Sequence, residues 1–242
     1  MSAPVFVADD VGGDRVVLSG PEGRHAATVR RVRPGEAVDV VDGLGTRASC
    51  TVAAVGRDTV ELAVVRRTTE PVASPRVVLV QALAKGDRGE LAVELATEVG
   101  VDEVVPWAAE RSIVRWDGER GAKALARWRS TAREAGKQSR RARFPVVTEV
   151  RSTREVAELV RAAEASYVLH EVATAPLALQ AVPTQGTVLL VVGPEGGVTE
   201  AEVAELTAAG AVAVRLGPSV LRTSTAGAAA AAVVSAGTSR WR

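Results

Sequence analysis

Cysteine is nearly absent from this 242-residue chain. A single Cys50 rules out an intrachain disulfide, a cysteine-based zinc cluster and an iron–sulfur site, and a reducing compartment is the expectation that follows. Aromatic residues are scarce as well, at four Trp, two Phe and one Tyr. The core must be built from Val, Leu and Ala, and an extended aromatic platform for stripping single-stranded nucleic acid is excluded. His25 and His170 are the only histidines, and neither sits in a ligand spacing such as HExxH, so no metal is expected. No G-x-S-x-G elbow marks a serine hydrolase. No apolar run approaches the roughly eighteen residues of a membrane span, and the opening MSAPVFVADD lacks the basic and apolar regions of a secretory leader. A cytoplasmic protein without a membrane partner is expected.

Charge is nearly balanced overall, at +1, but unevenly spread. Between Arg111 and Arg143 stand nine Arg and two Lys against Asp117, Glu119 and Glu134, a net +8 that leaves −7 for the rest of the chain. A basic stripe on an otherwise acidic protein is the footprint of a polyanion-binding face, or else a solvated charged face. At 100° per residue, Leu125, Trp128, Ala132, Ala135 and Ser139 share one arc of a helix, while Arg129, Arg133, Lys137 and Arg140 occupy another. The prevalence of Arg, which grips phosphate oxygens in pairs, favours a phosphate-bearing partner such as RNA.

Two grammars divide the chain. Up to about residue 70, short β segments (Val5–Ala8, Arg15–Ser19, Glu36–Val41, Arg47–Val55, Thr59–Arg66) alternate with Gly- and Pro-rich turns, interrupted by one helical piece over Glu22–Arg33. That pattern predicts a small β-barrel, followed by a proline-containing linker at Thr68–Pro75. Beyond it, apolar runs at Arg76–Leu83, Val101–Trp107, Tyr167–His170, Thr187–Val192 and Ala211–Leu216 alternate with helical stretches at 87–99, 153–165, 199–209 and 225–236. Such alternation predicts an α/β domain with a mostly parallel sheet covered on both faces. The expected domains are 1–72 and 73–242.

Two loops carry candidate chemistry. In the first, the apolar run ending at Val192 enters Gly193-Pro194-Glu195-Gly196-Gly197 and then a helix whose Thr199 and Glu202 form a capping box. A strand, glycine loop and helix start in that order make a ligand site at the carboxyl end of a sheet, or simply a tight turn. The loop matches neither dinucleotide nor P-loop patterns, and Glu195 would repel polyphosphate, whereas a cation such as the sulfonium of S-adenosylmethionine escapes that repulsion. In the second, Leu216-Gly217-Pro218-Ser219-Val220-Leu221-Arg222-Thr223-Ser224-Thr225 leads from the last strand into an Ala-rich helix.

Together these loops resemble the bacterial 16S rRNA (uracil-N3)-methyltransferases of the SPOUT superfamily. The resemblance extends to Arg24-His25 through Arg30-Arg31 and Pro34-Gly35-Glu36, to Lys85 with Glu90-Leu91, Thr97-Glu98-Val99-Gly100 and Glu110-Arg111-Ser112, and to Gln138-Ser139 with Arg141. It implies a PUA-like N-terminal barrel, a C-terminal SPOUT domain with a deep trefoil knot, and a homodimer that binds S-adenosylmethionine. Carried onto this chain, the cofactor pocket comprises Leu169, His170 and Glu171, then Gly193, Pro194, Glu195, Gly196 and Gly197, then Leu216, Gly217, Val220 and Leu221. Arg24, His25, Arg30, Arg31, Arg129, Arg133, Lys137, Gln138, Arg140 and Arg141 are the expected contacts to 16S rRNA or the small subunit. Ser219, Ser224 and Leu95 depart from the family pattern, where Arg, Glu and Lys are frequent.

N3 methylation of uracil requires loss of a weakly acidic imide proton from a base taken out of its stack. Arg222 is the expected stabiliser of the resulting anion, and Glu195 or a water the expected proton acceptor. A SPOUT enzyme acting on another nucleotide or a ribose 2′-hydroxyl, and a non-catalytic rRNA-binding assembly protein, remain alternatives. A Rossmann dehydrogenase lacks its fingerprint here.

Overall fold

The computed structural model describes residues 3–241. By its internal contacts the chain divides into two units, the first running to Val72 and including Gly136–Phe144, the second formed by Ala73–Ala135 and the chain from Pro145 onward. Residues 136–144, which the linear reading assigned to the C-terminal domain, therefore belong with the N-terminal one.

In the first unit β1 (Val5–Val7), β2 (Arg15–Leu18), β3 (Ala37–Val41), β4 (Thr46–Val55) and β5 (Val60–Thr69) form one sheet in the order β1-β3-β4-β5-β2. Only β1 and β3 run parallel. The register of the long β4–β5 hairpin shifts at Ser49/Cys50 and Val52/Ala54, and such bulges bend a sheet around its own core. That core contains Phe6, Leu18, Val38, Cys50 and Leu62. A short helix, α1 (Gly20–Arg24), continues as a single π-helical stretch, His25–Val29. The helix expected over 22–33 thus stops at Val29, because Arg31 turns into the left-handed region at φ 53° and cannot continue it.

The second unit holds six strands, β6 (Arg76–Ala82), β7 (Glu103–Trp107), β8 (Val146–Val147), β9 (Ala165–Leu169), β10 (Thr187–Val192) and β11 (Val212–Val214). All pairings are parallel, in the order β11-β9-β10-β6-β7-β8. Alternation along the strands feeds two cores. Val77, Leu79, Val188 and Leu190 pack with residues of α2 (Arg88–Glu98), α3 (Gly118–Gln138) and α6 (Thr223–Ala236), while Val78, Val80, Leu189 and Val191 pack with α4 (Thr153–Ala162) and α5 (Glu200–Ala208). The sheet is covered on both faces, as its unbroken apolar strands require. Within α3 the expected apolar arc is buried at Leu125, Trp128, Ala132 and Ala135. Although β11 is an edge strand, the helix that follows it lies over β6 and β10 at the sheet's centre, so the intervening loop spans the carboxyl ends of the middle strands.

Candidate active site

Three loops leave the carboxyl ends of the adjacent strands β9, β10 and β11 and enclose a cavity of about 490 Å³. Its size suits a small organic ligand. The β9 and β11 loops are laced together: His170 N donates to Val214 O, Arg215 N to Ala175 O and Leu177 N to Arg215 O, each at 2.9 Å. The β10 loop turns back on itself through Gly197 N to Pro194 O at 2.9 Å, with Gly197 at φ 75°, where only glycine is unstrained. At Gly193 a Cβ would lie 2.6 Å from Val198 Cγ2, so a side chain there would open the loop. Thr199 and Glu202 then form the capping box of α5.

All twelve residues expected in the cofactor pocket line this one cavity, and so does Arg222. The sequence reading missed Arg88, Arg215 and Thr223, which also line it. For Arg88 the signal was available in principle, since it opens the helix that follows β6 after a five-residue loop, but its direction depends on a partner 107 positions away.

That partner is Glu195. Its carboxylate accepts from Arg88 at 2.9 Å and from Lys85 N at 3.0 Å. Burial raises the pKa of Glu195, but its own backbone N–H, Arg88 and the Lys85 N–H together outweigh this and hold it below the usual carboxylate range. A carboxylate stabilised in that way is a poorer base than a free one, which argues against Glu195 as the proton acceptor and for a role in tying the β10 loop to the start of α2. Arg222 caps α6 with its carbonyl, which accepts from Thr225 N and Ala226 N at 3.0 Å. Its exposed guanidinium has no acceptor among the described residues. Ser224 is buried in the first turn of α6, so position 224 offers the cavity no carboxylate.

The expected RNA contacts separate by environment. In the first unit Arg24, Arg30, Arg31, Gln138 and Arg140 are exposed, with Arg24 3.4 Å from Asp58. His25 meets Phe6 edge-on at 6.1 Å, and Arg141 is half-buried. Lys137 does not join an outward row: it is paired with Glu22 at 2.6 Å with its side chain only 12% exposed. The reason is a partner distant in sequence. At the preceding Gly136 a Cβ would meet the Phe144 ring at 2.4 Å, so the segment that returns after α3 packs against the end of that helix. In the second unit Arg129 pairs with Glu149 at 2.9 Å, and Arg133 is half-buried. No group of three or more His, Cys, Asp or Glu able to hold a metal occurs among the described residues, and none of their helices is long and apolar enough to cross a membrane.

Residues 72–235 match the RNA methyltransferase domain family, and residues 18–65 match the RNA methyltransferase PUA domain. The whole chain is 50% identical to the Ribosomal RNA small subunit methyltransferase E of Mycobacterium bovis, covering 94% of that protein. This chain belongs to that RNA methyltransferase family. The Bacillus subtilis protein of the same name is 33% identical, over 86% of this chain and 85% of its own length. A crystal structure of the Neisseria gonorrhoeae protein, bound to S-adenosyl methionine, is similar with a TM-score of 0.85 at 29% identity, covering 97% of this chain and 98% of that one. Family membership accounts for both units: a PUA domain in the first, and in the second an α/β domain whose cavity lies at the strand ends.

Proposed function

We propose that this chain is an S-adenosylmethionine-dependent methyltransferase that modifies N3 of a uridine in the 16S rRNA of the small ribosomal subunit, working in the cytoplasm as a homodimer with a knotted C-terminal domain. The observation that carries this reading is the cavity at the ends of β9, β10 and β11, in a chain whose Neisseria relative is bound to that cofactor.

The residues present fit the cofactor. Leu169, Val192, Leu216 and Leu221 supply apolar wall for a flat adenine, the Gly193 cradle admits no side chain, and Glu171, unlike the Arg88-bound Glu195, offers a carboxylate to a cationic group of the cofactor. When bound, S-adenosylmethionine supplies a methyl group already activated by its sulfonium. The chain's own work is to hold an unstacked uracil, to draw off its N3 proton and to stabilise the anion. Arg222, with its guanidinium uncommitted at the cavity, serves the O2 or O4 of that anion. With Glu195 engaged by Arg88, the proton passes to water. Arg24, His25, Arg30, Arg31, Gln138, Arg140 and Arg141 in one unit, and Arg129 and Arg133 in the other, provide the RNA contacts. Exposed apolar side chains in the loops after β9 and β11, Val172, Val220 and Leu221, support a self-association surface beside the cavity.

The test is methyl transfer from labelled S-adenosylmethionine to small subunits or rRNA lacking the modification. Arg222→Ala should lower turnover by about 10² to 10³ while cofactor affinity persists, the scale for removing one donor to a developing anion. Unchanged turnover in that variant would remove Arg222 from the mechanism.

A further inference from the structure

Gln81, in the penultimate position of β6, is fully buried. Its Nε2 donates to Thr223 Oγ1 at 2.9 Å and, less well, to the Ala82 carbonyl at 3.3 Å, while Oε1 has no partner. Thr223 Oγ1 donates in turn to the Gly193 carbonyl at 2.7 Å. A hydroxyl has one proton, and here it goes to Gly193; Gln81 must therefore turn its NH₂ toward Thr223, which fixes the direction of the chain of bonds.

Helix packing sets this contact. Gly227 lies so close to β6 that a Cβ there would come within 2.8 Å of Leu79 Cδ1. Thr223 is one helical turn before Gly227, a rise of about 6 Å, and Gln81 is two strand residues after Leu79, about 6.6 Å along the same face. The close approach at one pair brings the other pair into register. At the far end, the peptide from Gly193 to Pro194 has no N–H, so the Gly193 carbonyl is its only hydrogen-bonding group. An apolar side chain at 81 would pack without an orphaned acceptor. The bond to Thr223, rather than packing, accounts for an amide at this position.

We infer that Gln81 and Thr223 are positioning residues whose relay, Gln81 to Thr223 to the Gly193 carbonyl, orients the β10 loop for cofactor binding. This rests on the reading of the cavity as the S-adenosylmethionine site. Gln81 does not line the cavity and acts only through Thr223.

Gln81→Met, Thr223→Val, Thr223→Ser and the Gln81→Met/Thr223→Val double variant test it. The measurements are the Kd for S-adenosylhomocysteine by calorimetry, KM for S-adenosylmethionine and for rRNA separately, and Tm. The relay predicts that Gln81→Met and Thr223→Val each weaken S-adenosylhomocysteine binding by about tenfold, with KM for rRNA unchanged. Thr223→Ser, which keeps the hydroxyl, recovers most of the affinity. The double variant should be no weaker than Thr223→Val alone, because the two residues act through one bond to Gly193. If Gln81→Met binds within twofold of the unaltered chain, or if the two losses multiply, the relay is wrong. Should Gln81→Met unfold, the comparison of Thr223→Val with Thr223→Ser decides alone, and equal affinities there overturn the inference. Absence of S-adenosylhomocysteine binding to the unaltered chain would instead overturn the cofactor reading, and the relay with it.

Discussion

Glu202→Ala should destabilise the second unit well beyond the loss of a helix cap. The Glu202 carboxylate is 4% exposed and accepts from Thr199 N at 3.0 Å, from Glu110 N at 2.8 Å and from Thr153 Oγ1 at 3.1 Å. It therefore joins the start of α5 to the start of α4 and to the loop after β7. Losing the capping box costs about 1 kcal/mol. The Glu110 N–H and the Thr153 hydroxyl, both only partly buried, then lose their acceptor, at about 1 kcal/mol for each bond. The three losses together come to about 3 kcal/mol, and at about 2–4 °C per kcal/mol for a chain of this size Tm should fall by about 6–12 °C. Thr199→Ala, which removes only the cap hydroxyl, should lose about a third of that. Thermal unfolding followed by circular dichroism reads both values. A Glu202→Ala protein within 2 °C of the unaltered chain would refute the claim that this carboxylate holds three elements together.

Other substitutions probe separate parts of the account. Cys50 is buried, and desolvation first, with Asp39 adding to it against Arg67, pushes its thiol up to about 11. It should resist a disulfide-exchange reagent at pH 8 in the folded protein and react fully in denaturant, whereas rapid labelling of the native state would contradict its placement. Gly23→Ala should destabilise the first unit, because a Cβ there would lie 2.3 Å from the Asp58 carbonyl and 2.7 Å from that of Leu18, backbone atoms that cannot swing aside. A loss above about 2 kcal/mol is expected, and a neutral result would show that α1 is free to move. The depressed pKa of Glu195 fixes a pH dependence. Its contribution to stability is fully present above the ordinary carboxylate pKa of about 4.3 and is lost as pH falls through its lower folded value. The Tm difference between Glu195→Gln and the unaltered chain should be flat from pH 6 to 8 and shrink below about pH 4; a difference that changes around pH 7 would implicate another group.

What sequence pattern reveals here is local, and what it hides is set by distant partners. β10 falls where the apolar run Thr187–Val192 places it, and the capping box at Thr199 and Glu202 forms as spelled, because strand burial and helix capping are decided within a few residues. The cavity residues were legible for a different reason: the two loop motifs are specific enough together to indicate where their neighbours lie. Lys137 shows the opposite case. On a helical wheel it shares the polar arc with Arg133, but its environment is set by Glu22, 115 positions earlier. The two-residue β8 carries no periodicity to detect, and the helix over 22–33 ends early at a positive φ that the residue type Arg31 does not announce. Likewise the tertiary bonds of Glu202, the pairing of Arg88 with Glu195 and the burial of Gln81 beneath Thr223 depend on which strands become neighbours.

The central claim is tested most directly by identifying the modified nucleoside. The purified protein, incubated with S-adenosylmethionine and small ribosomal subunits that lack the modification, should yield rRNA whose digest contains 3-methyluridine, formed only when both protein and cofactor are present. A different methylated nucleoside would contradict the assignment to uridine N3, and no methyl transfer to rRNA in any form would contradict the enzyme reading itself.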